Sequence, residues 1–316
     1  PVVPSAAQLL SKDVDTMKCL EDAGVAAVVV HSLFEEQVAL EAGNLTHFLE
    51  HGTESYAEAL SYFPDHGEYE HGPDEYLDLV RSAKESLSIP VVGSLNGVSK
   101  GGWVDYAKKI QEAGADALEL NVYYVPTDPR LTSETVENVY LAILSEVKSR
   151  VTIPVNMKLG PFFSSLPNFA RRLQEAGADG ISMFNRFYLP DLDLEGLEVA
   201  PRLELSTPYE IFQPLRWIGI LRGQLDLTLA ATSGVHTAED ALKLVMAGAD
   251  VVHVCGSILK RGPEIIGEIR DGIAAWLTEH DYESLDQARG SLSQRACPEP
   301  AAFERANYMK VIHRYS

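Results

Sequence analysis

Cysteine is scarce in this sequence of 316 residues: three occur, Cys19, Cys255 and Cys297, far apart and never as Cys-x-x-Cys. That excludes a disulfide framework and the usual zinc or iron–sulfur ligand sets, and it fits a reducing compartment. Positive charge is also short. Against 46 Asp and Glu stand 26 Lys and Arg, a formal net charge of -20, so neither nucleic acid nor an anionic membrane surface is an expected partner. No apolar run reaches the length of a membrane span and no signal-peptide pattern opens the chain, which makes the cytoplasm the expected location. Pro1 rather than Met comes first, and what precedes it is left open. The fingerprint Gly-x-Gly-x-x-Gly is missing too, which speaks against an open Rossmann sheet. Hydrophobic residues make up 46% and charged residues 23%, enough apolar material for a real core.

What the sequence does contain is a repeated phrase. It reads Asp22-Ala-Gly-Val-Ala-Ala-Val-Val-Val30, Glu112-Ala-Gly-Ala-Asp-Ala-Leu-Glu-Leu120, Glu175-Ala-Gly-Ala-Asp-Gly-Ile-Ser-Met183 and Met246-Ala-Gly-Ala-Asp-Val-Val-His-Val254. In each copy an amphipathic helix runs to a glycine suited to a left-handed cap, and a short apolar run follows that reads as a strand buried on both faces. Two more strands open on Ile-Pro, at Ile89 and Ile153, a further one covers 225–231, and Val2-Val3 completes the count at eight. Helical patterns lie between them over 13–23, 74–87, 103–113, 133–149, 165–176, 209–222, 237–247 and 263–279. Eight alternating units predict an α/β fold closed as a (β/α)8 TIM barrel. Two stretches fall outside the repeat: a His- and Glu-rich insertion after the second strand, 33–72, expected to act as a lid, and a polar C-terminal tail. The expected division is a barrel domain over 1–290 and a tail over 291–316, packed on the barrel exterior or on a partner subunit of a homodimer.

Barrel sites lie at the C-terminal strand ends. The polar residues placed there are His31, Ser32, Asn96, Asn121, Lys158, Asn185, Ser233 with Gly234, and Cys255-Gly256-Ser257. Lys158 ends an apolar strand, where a desolvated ammonium needs a partner: either a structural ion pair, or an anionic ligand or reduced ring system. The turns at Ser233-Gly234 and Cys255-Gly256-Ser257 end the last two strands, the usual phosphate position of a barrel. Amides at three strand ends suit a heterocycle with alternating N–H and C=O groups, such as a flavin or a pyrimidine, although each alone reads equally as a turn residue.

Other patterns carry less. His47-Phe-Leu-Glu-His51 matches the inverted zinc-protease spacing but lacks a third ligand, and the group Asp65, His66, Glu68, Glu70, His71 reads as a solvated loop. No metal is expected. Asn44-Leu-Thr46 is a glycosylation sequon only in a secreted chain.

With these residues in place the chain resembles the dihydroorotate dehydrogenase family, and more narrowly the dihydroorotate dehydrogenase-like proteins. The resemblance runs to about residue 290, through Pro1 to Ala6, Glu119-Leu-Asn-Val122, Pro154-Val-Asn-Met-Lys-Leu159, Gly177-Ala-Asp-Gly-Ile181 with Asn185, Ser206 in a Leu-Ser turn, Ser233-Gly-Val-His-Thr-Ala-Glu-Asp240 and Gly262-Pro263. It implies an FMN-dependent oxidoreductase acting on a CH–CH group of a small molecule, as in pyrimidine biosynthesis. By position, Lys158 would face the flavin, Asn121 and Asn185 would lie at the flavin–substrate junction, Ala6 and Ser32 would edge the ring, and Gly234 with Gly256 would hold the phosphate.

The chain departs from the family in its substrate half. Where members carry a Cys or Ser base and a following Pro-Asn, this sequence has Tyr123-Tyr-Val-Pro-Thr127, which puts Tyr124 at the base position. His31 stands where the family has lysine, and Ala59-Leu-Ser-Tyr-Phe-Pro64 replaces an asparagine-rich turn. A phenol is a poor base at neutral pH and a competent acid, so Tyr124 is either a proton donor or a wall of the pocket. The leading expectation is a dehydrogenase or reductase of a dihydropyrimidine-like or conjugated substrate, with Tyr124, His31 and Lys158 as catalytic candidates. The alternatives are true dihydroorotate oxidation with a relocated base, a flavin electron-transfer component docking to a protein, and a flavin-free aldolase-type barrel using Lys158 as Schiff-base nucleophile.

Overall fold

In the computed structural model, which describes residues 1–41, 72–99 and 101–314, eight strands make one parallel sheet. They are β1 (Val2–Pro4), β2 (Val28–Phe34), β3 (Val91–Asn96), β4 (Ala117–Asn121), β5 (Val155–Leu159), β6 (Gly180–Met183), β9 (Thr228–Ala231) and β10 (Val251–Val254). An antiparallel hairpin, β7 (Pro190–Asp193) with β8 (Glu198–Pro201), stands apart from them. The sheet runs β1-β10-β9-β6-β5-β4-β3-β2. Its two ends meet where the Ala26 N–H donates to the Val2 carbonyl at 2.9 Å, so the sheet curls into a barrel.

The helices, in chain order, are α1 (Gln8–Ser11), α2 (Val14–Ala23), α3 (Glu35–Glu41), α4 (Pro73–Ser86), α5 (Asp105–Glu112), α6 (Ser133–Lys148), α7 (Leu166–Glu175), α8 (Phe212–Leu221), α9 (Ala238–Ala247), α10 (Gly256–Arg261) and α11 (Glu264–Glu279), followed by α12 (Leu285–Ala288) and α13 (Ala306–Arg314). Those between strands turn one apolar stripe inward. In α7 the buried residues are Leu166, Phe169, Ala170 and Leu173, one face of a 3.6-residue period. They pack on a core to which β4 and β5 contribute the fully buried Leu118, Leu120, Val155, Met157 and Leu159.

The repeated phrase has a mechanical meaning. Its glycines cap α2, α5, α7 and α9 with positive φ, from 94° at Gly177 to 130° at Gly248. Its aspartate then ties the incoming strand to its neighbour. Asp116 accepts the Val91 N–H at 2.8 Å and returns its own N–H to the Val91 carbonyl at 2.8 Å. Asp179 does the same with Val155, at 2.8 and 2.9 Å, and Asp250 with Leu229, at 3.0 and 2.8 Å. Each carboxylate also takes a cation from the helix leading into that neighbour: Lys84, Lys148 or Arg222. In the first copy Ala26 stands at the aspartate position, and the β1–β2 seam keeps only the backbone bond.

The eight expected strands and the barrel are present, with shifted ends. The Ile-Pro strands begin two residues later, at Val91 and Val155, because Pro90 and Pro154 act through their carbonyls, which accept the Val28 and Leu118 N–H groups. The strand expected over 225–231 is regular only from Thr228. The helix expected from 209 begins as a 3-10 turn, Pro208–Ile211. The hairpin β7–β8 is not predicted by the hydropathy pattern, since its leucines alternate with acids and stay exposed and leave no buried face to detect. The 33–72 insertion begins with the end of β2 and α3, and Glu35 of α3 is buried and accepts N–H groups from Val98 and Ser99 at 2.7 and 3.1 Å. The His47–His51 motif, the 65–71 cluster, the sequon and Ala59–Pro64 lie outside the described residues. The tail packs on the barrel exterior: N–H groups of Gly290, Leu292 and Gln294 donate to the carbonyls of Val245, Met246 and Gly219 on α9 and α8.

The relative weight of the two aspartate contacts can be measured. Asp179→Ala leaves the strand-opening Val155 N–H without its acceptor and is expected to cost about 1–3 kcal/mol in urea unfolding. Lys148→Met removes only a partly exposed ion pair and is expected to cost less than about 1 kcal/mol. Equal losses in the two variants would show that the ion pair, rather than the strand bond, carries the effect.

Candidate active site

The strand register stacks polar residues in two rows inside the barrel. Ser32, Ser94, Glu119, Asn156 and Gly180 are register partners across β2 to β6. Two residues nearer the C-terminal ends, Asn96, Asn121, Lys158 and Ser182 are partners across β3 to β6. Gly180 leaves room for this packing, since a Cβ there would lie 3.1 Å from the Asn156 amide oxygen. The outward residues of the same strands are apolar, so one alternation serves both the core and the site.

Lys158 reaches from the upper row into the lower. Its Nζ lies 3.1 Å from Glu119 Oε1, and both side chains are buried, 8% and 2% exposed. Asn156 Nδ2 donates to Glu119 Oε2 at 3.4 Å and to Ser182 Oγ at 2.8 Å, which ties the carboxylate into the wall. A buried pair of this kind offsets most of its own charge, and its desolvation cost makes it a poor device for stability alone. His253 of β10 lies in the field of both charges. Burial holds its imidazole below the ordinary histidine value; Glu119 pulls against this, Lys158 adds to it, and a bond to the Pro4 carbonyl opposes it. The ring is therefore mainly neutral at pH 7, and its Nδ1 is buried with no hydrogen-bond partner among the described residues. Burial likewise raises the Cys255 thiol, with Lys158 acting the other way, so Cys255 is a neutral side chain beside the ammonium.

At the rim, Asn185 Nδ2 donates to Asn121 Oδ1 at 2.7 Å, which joins the ends of β4 and β6. Ser233 and Gly234 after β9 both take φ of 82°, a left-handed turn unusual for serine. It presses Gly234 against the Pro208–Ile211 turn so closely that a Cβ would lie 2.5 Å from the Ile211 nitrogen. Gly256, after β10, faces the buried Ser206, whose Oγ would lie 2.8 Å from a Cβ at that position. Ser257 Oγ donates to the Val235 carbonyl at 2.8 Å. The expected phosphate residues, distant in sequence, thus meet at one place.

On the opposite side, β2 carries a bulge: Val29 pairs with Val92 but Ser32 with Ser94. At this break in the ladder the Ser94 N–H and carbonyl turn to a side chain instead. The buried Tyr76 of α4 fills the gap, its hydroxyl accepting the Ser94 N–H at 2.8 Å and donating to the Ser94 carbonyl at 3.1 Å. Burial and the nearby Glu119 charge push this phenol up, so it stays protonated. The bulge re-aims His31. Its ring Nδ1 lies 3.3 Å from Ser11 Oγ, its backbone N–H donates to the same oxygen at 2.8 Å, and its ring meets Tyr76 edge-on. Ser32 Oγ pairs with Ser94 Oγ at 2.8 Å. Ala6 follows β1 beside Ser5, whose N–H donates to the Val254 carbonyl at 3.1 Å.

The two tyrosines after β4 diverge. Tyr123 stacks on Phe187 at 4.2 Å, and its oxygen accepts the Tyr188 N–H at 2.9 Å. Tyr124 is half-buried against the hydrophobic core and close to Tyr140, whose phenol is pushed up to about 12 chiefly by burial. No described hydrogen bond joins Tyr124 to the Lys158 network. Glu119, Asn156, Ser182, His253 and Tyr76 are the members that sequence reasoning missed. A usable signal existed for Glu119, Asn156 and His253: a polar residue inside an apolar strand, in phase with another polar residue two positions on; Ser182, with Phe184 two positions on, lacks it. Tyr76 left none, because its role depends on a bulge in another strand. Among the described residues no group of three or more His, Cys, Asp or Glu could hold a metal ion, and no helix is long and apolar enough to cross a membrane.

A family model described as Dihydroorotate dehydrogenase matches residues 65–277. The catalytic subunit of dihydroorotate dehydrogenase B (NAD(+)) from Pyrococcus abyssi is 29% identical over 228 residues, covering 69% of this chain and 74% of that protein. The protein of the same name from Thermoplasma acidophilum is 25% identical over 298 residues, covering 90% and 92%. The NAD-dependent dihydropyrimidine dehydrogenase subunit PreA from Escherichia coli is 26% identical over 248 residues, 72% of this chain and 59% of that one. With more than half its length matched by the family model and a barrel carrying these polar rows, the chain belongs to the dihydroorotate dehydrogenase family and is an oxidoreductase of that flavin-dependent kind.

Proposed function

We propose that the chain binds FMN across the C-terminal ends of the barrel strands and acts on a CH–CH bond of a small dihydropyrimidine-like or conjugated substrate. The observation that carries this reading is the buried Lys158–Glu119 pair lying next to the Asn121–Asn185 amide bond. A cation among amides, inside a barrel, suits a heterocycle that alternates N–H and C=O groups and gains negative charge on reduction. The donor set fits the cofactor. Lys158 would face the ring's polar edge, Asn96, Asn121 and Asn185 would address its heteroatoms, and Ala6 and Ser32 would border it. Ser206, Ser233, Gly234, Cys255, Gly256 and Ser257 would enclose the phosphate. When bound, FMN supplies a two-electron hydride donor or acceptor. Tyr124 would exchange the proton at the neighbouring carbon, and His31, held by Ser11, would hydrogen-bond substrate or flavin.

The same reading includes protein partners. Relatives are named as subunits, and a net charge of -20 would steer a basic electron-transfer protein toward this chain. A homodimer and the 1–290 and 291–316 division belong to the proposal as well.

Denatured protein is expected to release FMN and no FAD, and Lys158→Ala to lose the flavin or its reactivity. Colourless protein that takes up no added FMN would overturn the reading, and an unimpaired Lys158→Ala would return the lysine to a structural role.

Dihydroorotate is expected to leave the flavin absorbance unchanged on anaerobic mixing. Tyr124 stands at the base position, and His31 replaces the family's lysine. Rapid bleaching would instead establish dihydroorotate as substrate, with His31 as the candidate base.

Tyr124→Phe is expected to slow substrate turnover by about 10²–10⁴-fold, the usual weight of general acid catalysis, with flavin binding and dithionite reduction intact. Tyr123→Phe loses the Tyr188 contact and is expected to act on substrate affinity. The opposite order of effects, measured in separate half-reactions, would move the donor role to Tyr123.

A further inference from the structure

Ser206 is buried where three loops meet, and two basic side chains converge on it. His236 Nε2 lies 3.2 Å from its hydroxyl, and Lys260 Nζ donates to its carbonyl at 3.0 Å. Gly256 adjoins the same hydroxyl, and His236 follows the left-handed Ser233–Gly234 turn. The charged groups facing the His236 ring are Lys260 from α10, Asp240 from α9 and Glu210 from the Pro208–Ile211 turn. Both carboxylates are already committed. Asp240 accepts the N–H groups of His236 and Thr237 at 3.1 and 2.9 Å, capping α9. Glu210 takes Arg186 Nε and the Thr207 N–H, each at 2.9 Å. Two nitrogen bases therefore meet at Ser206, one from the turn after β9 and one from α10, while the nearby acids hold other hydrogen bonds as well.

We propose that His236, with Lys260 and Ser206, forms a proton-linked site for a phosphate monoester, so that FMN is held more tightly as the pH falls. This rests on the FMN reading and adds its regulation. Without an anion, burial and the Lys260 charge keep the imidazole below its ordinary value, against the pull of the Ser206 contact, Asp240 and Glu210. A phosphate dianion between imidazole and ammonium reverses the balance, screening Lys260 and stabilising the imidazolium. The bound state then has the higher His236 value. The added affinity is full below the anion-free value, which lies under about 6.5, and is lost as the pH rises through the bound value. Both changes move by protonation alone.

The test titrates FMN and riboflavin, which has no phosphate, into flavin-free full-length protein and its His236→Gln variant between about pH 5.5 and 8.5, a range spanning the ordinary histidine value. In parallel, the imidazole signals of the unsubstituted protein are followed by NMR with and without inorganic phosphate. The ionisation of FMN itself is common to both proteins and cancels in their ratio. The ratio of FMN affinities, unsubstituted over variant, is expected to be about tenfold at the acid end, the factor equivalent to one pKa unit. It is expected to approach unity at the alkaline end, and riboflavin to show no such trend. A ratio independent of pH, or a His236 midpoint that inorganic phosphate does not raise, overturns the proposal, and the NMR arm decides even where the variant fails to fold. If phosphate raises the midpoint but FMN does not bind, the anion site stands and the flavin reading falls.

Discussion

The barrel depends on an aspartate that holds two neighbouring strands in step. Because a strand's side chains alternate with a period of two, a slip of one residue would turn every inward group outward. Asp116, Asp179 and Asp250 oppose that slip at the N-terminal end of β4, β6 and β10, each using a side-chain acceptor and a backbone donor on one residue of the adjacent strand. The cation that completes each bracket lays its stem over the capping glycine, as Lys84 does at Gly114 and Arg222 at Gly248. Cap, turn, ion pair and register are thus one device, which explains why four residues recur together as a phrase.

Register then decides what the interior contains. With β3 to β6 in step, Ser94, Glu119 and Asn156 fall into one row and Asn96, Asn121, Lys158 and Ser182 into the next. An apolar interior would be cheaper, since bringing an ammonium and a carboxylate out of water costs several kcal/mol for each ion. The interior keeps this expense where a polar ligand can use it. The hydrogen bonds of Asn156 and Ser182 hold the carboxylate in place, and the neutral His253 and Cys255 add polar contact without further charge.

The rim differs in kind from this wall. Its two sides are built from loops, and each side borrows a group from far along the chain. Tyr76 satisfies the bulge beneath His31, and Ser206 joins the turns after β9 and β10. The family likeness is carried by the strands and by the turns after β9 and β10, while the departures fall in the loop after β4, Tyr123 to Thr127, and at the β2 bulge, His31. Under the proposed function, a wall that resembles the family and a substrate half that departs from it fit a scaffold that keeps its cofactor chemistry while its substrate changes.

The sequence by itself determined the barrel, its strand count, its capping glycines and the residues at several of its strand ends, Asn96, Asn121 and Lys158 among them, whereas His31 and Ser32 fall inside β2. These follow from local pattern: hydrophobic period, a glycine at each cap, a polar residue closing an apolar run. It also marked Lys158 as a charge in need of a partner. Tertiary structure alone decided that the partner is Glu119, that Tyr76 completes a bulge, that Tyr123 and Tyr124 face different neighbours, and that His236 and Lys260 share Ser206. The hairpin β7–β8 belongs with these, because exposed strands leave no hydrophobic trace. Periodicity reports which face of an element is buried, whereas the identity of a contact across 39 residues from Glu119 to Lys158, or 54 from Ser206 to Lys260, depends on how the elements are assembled.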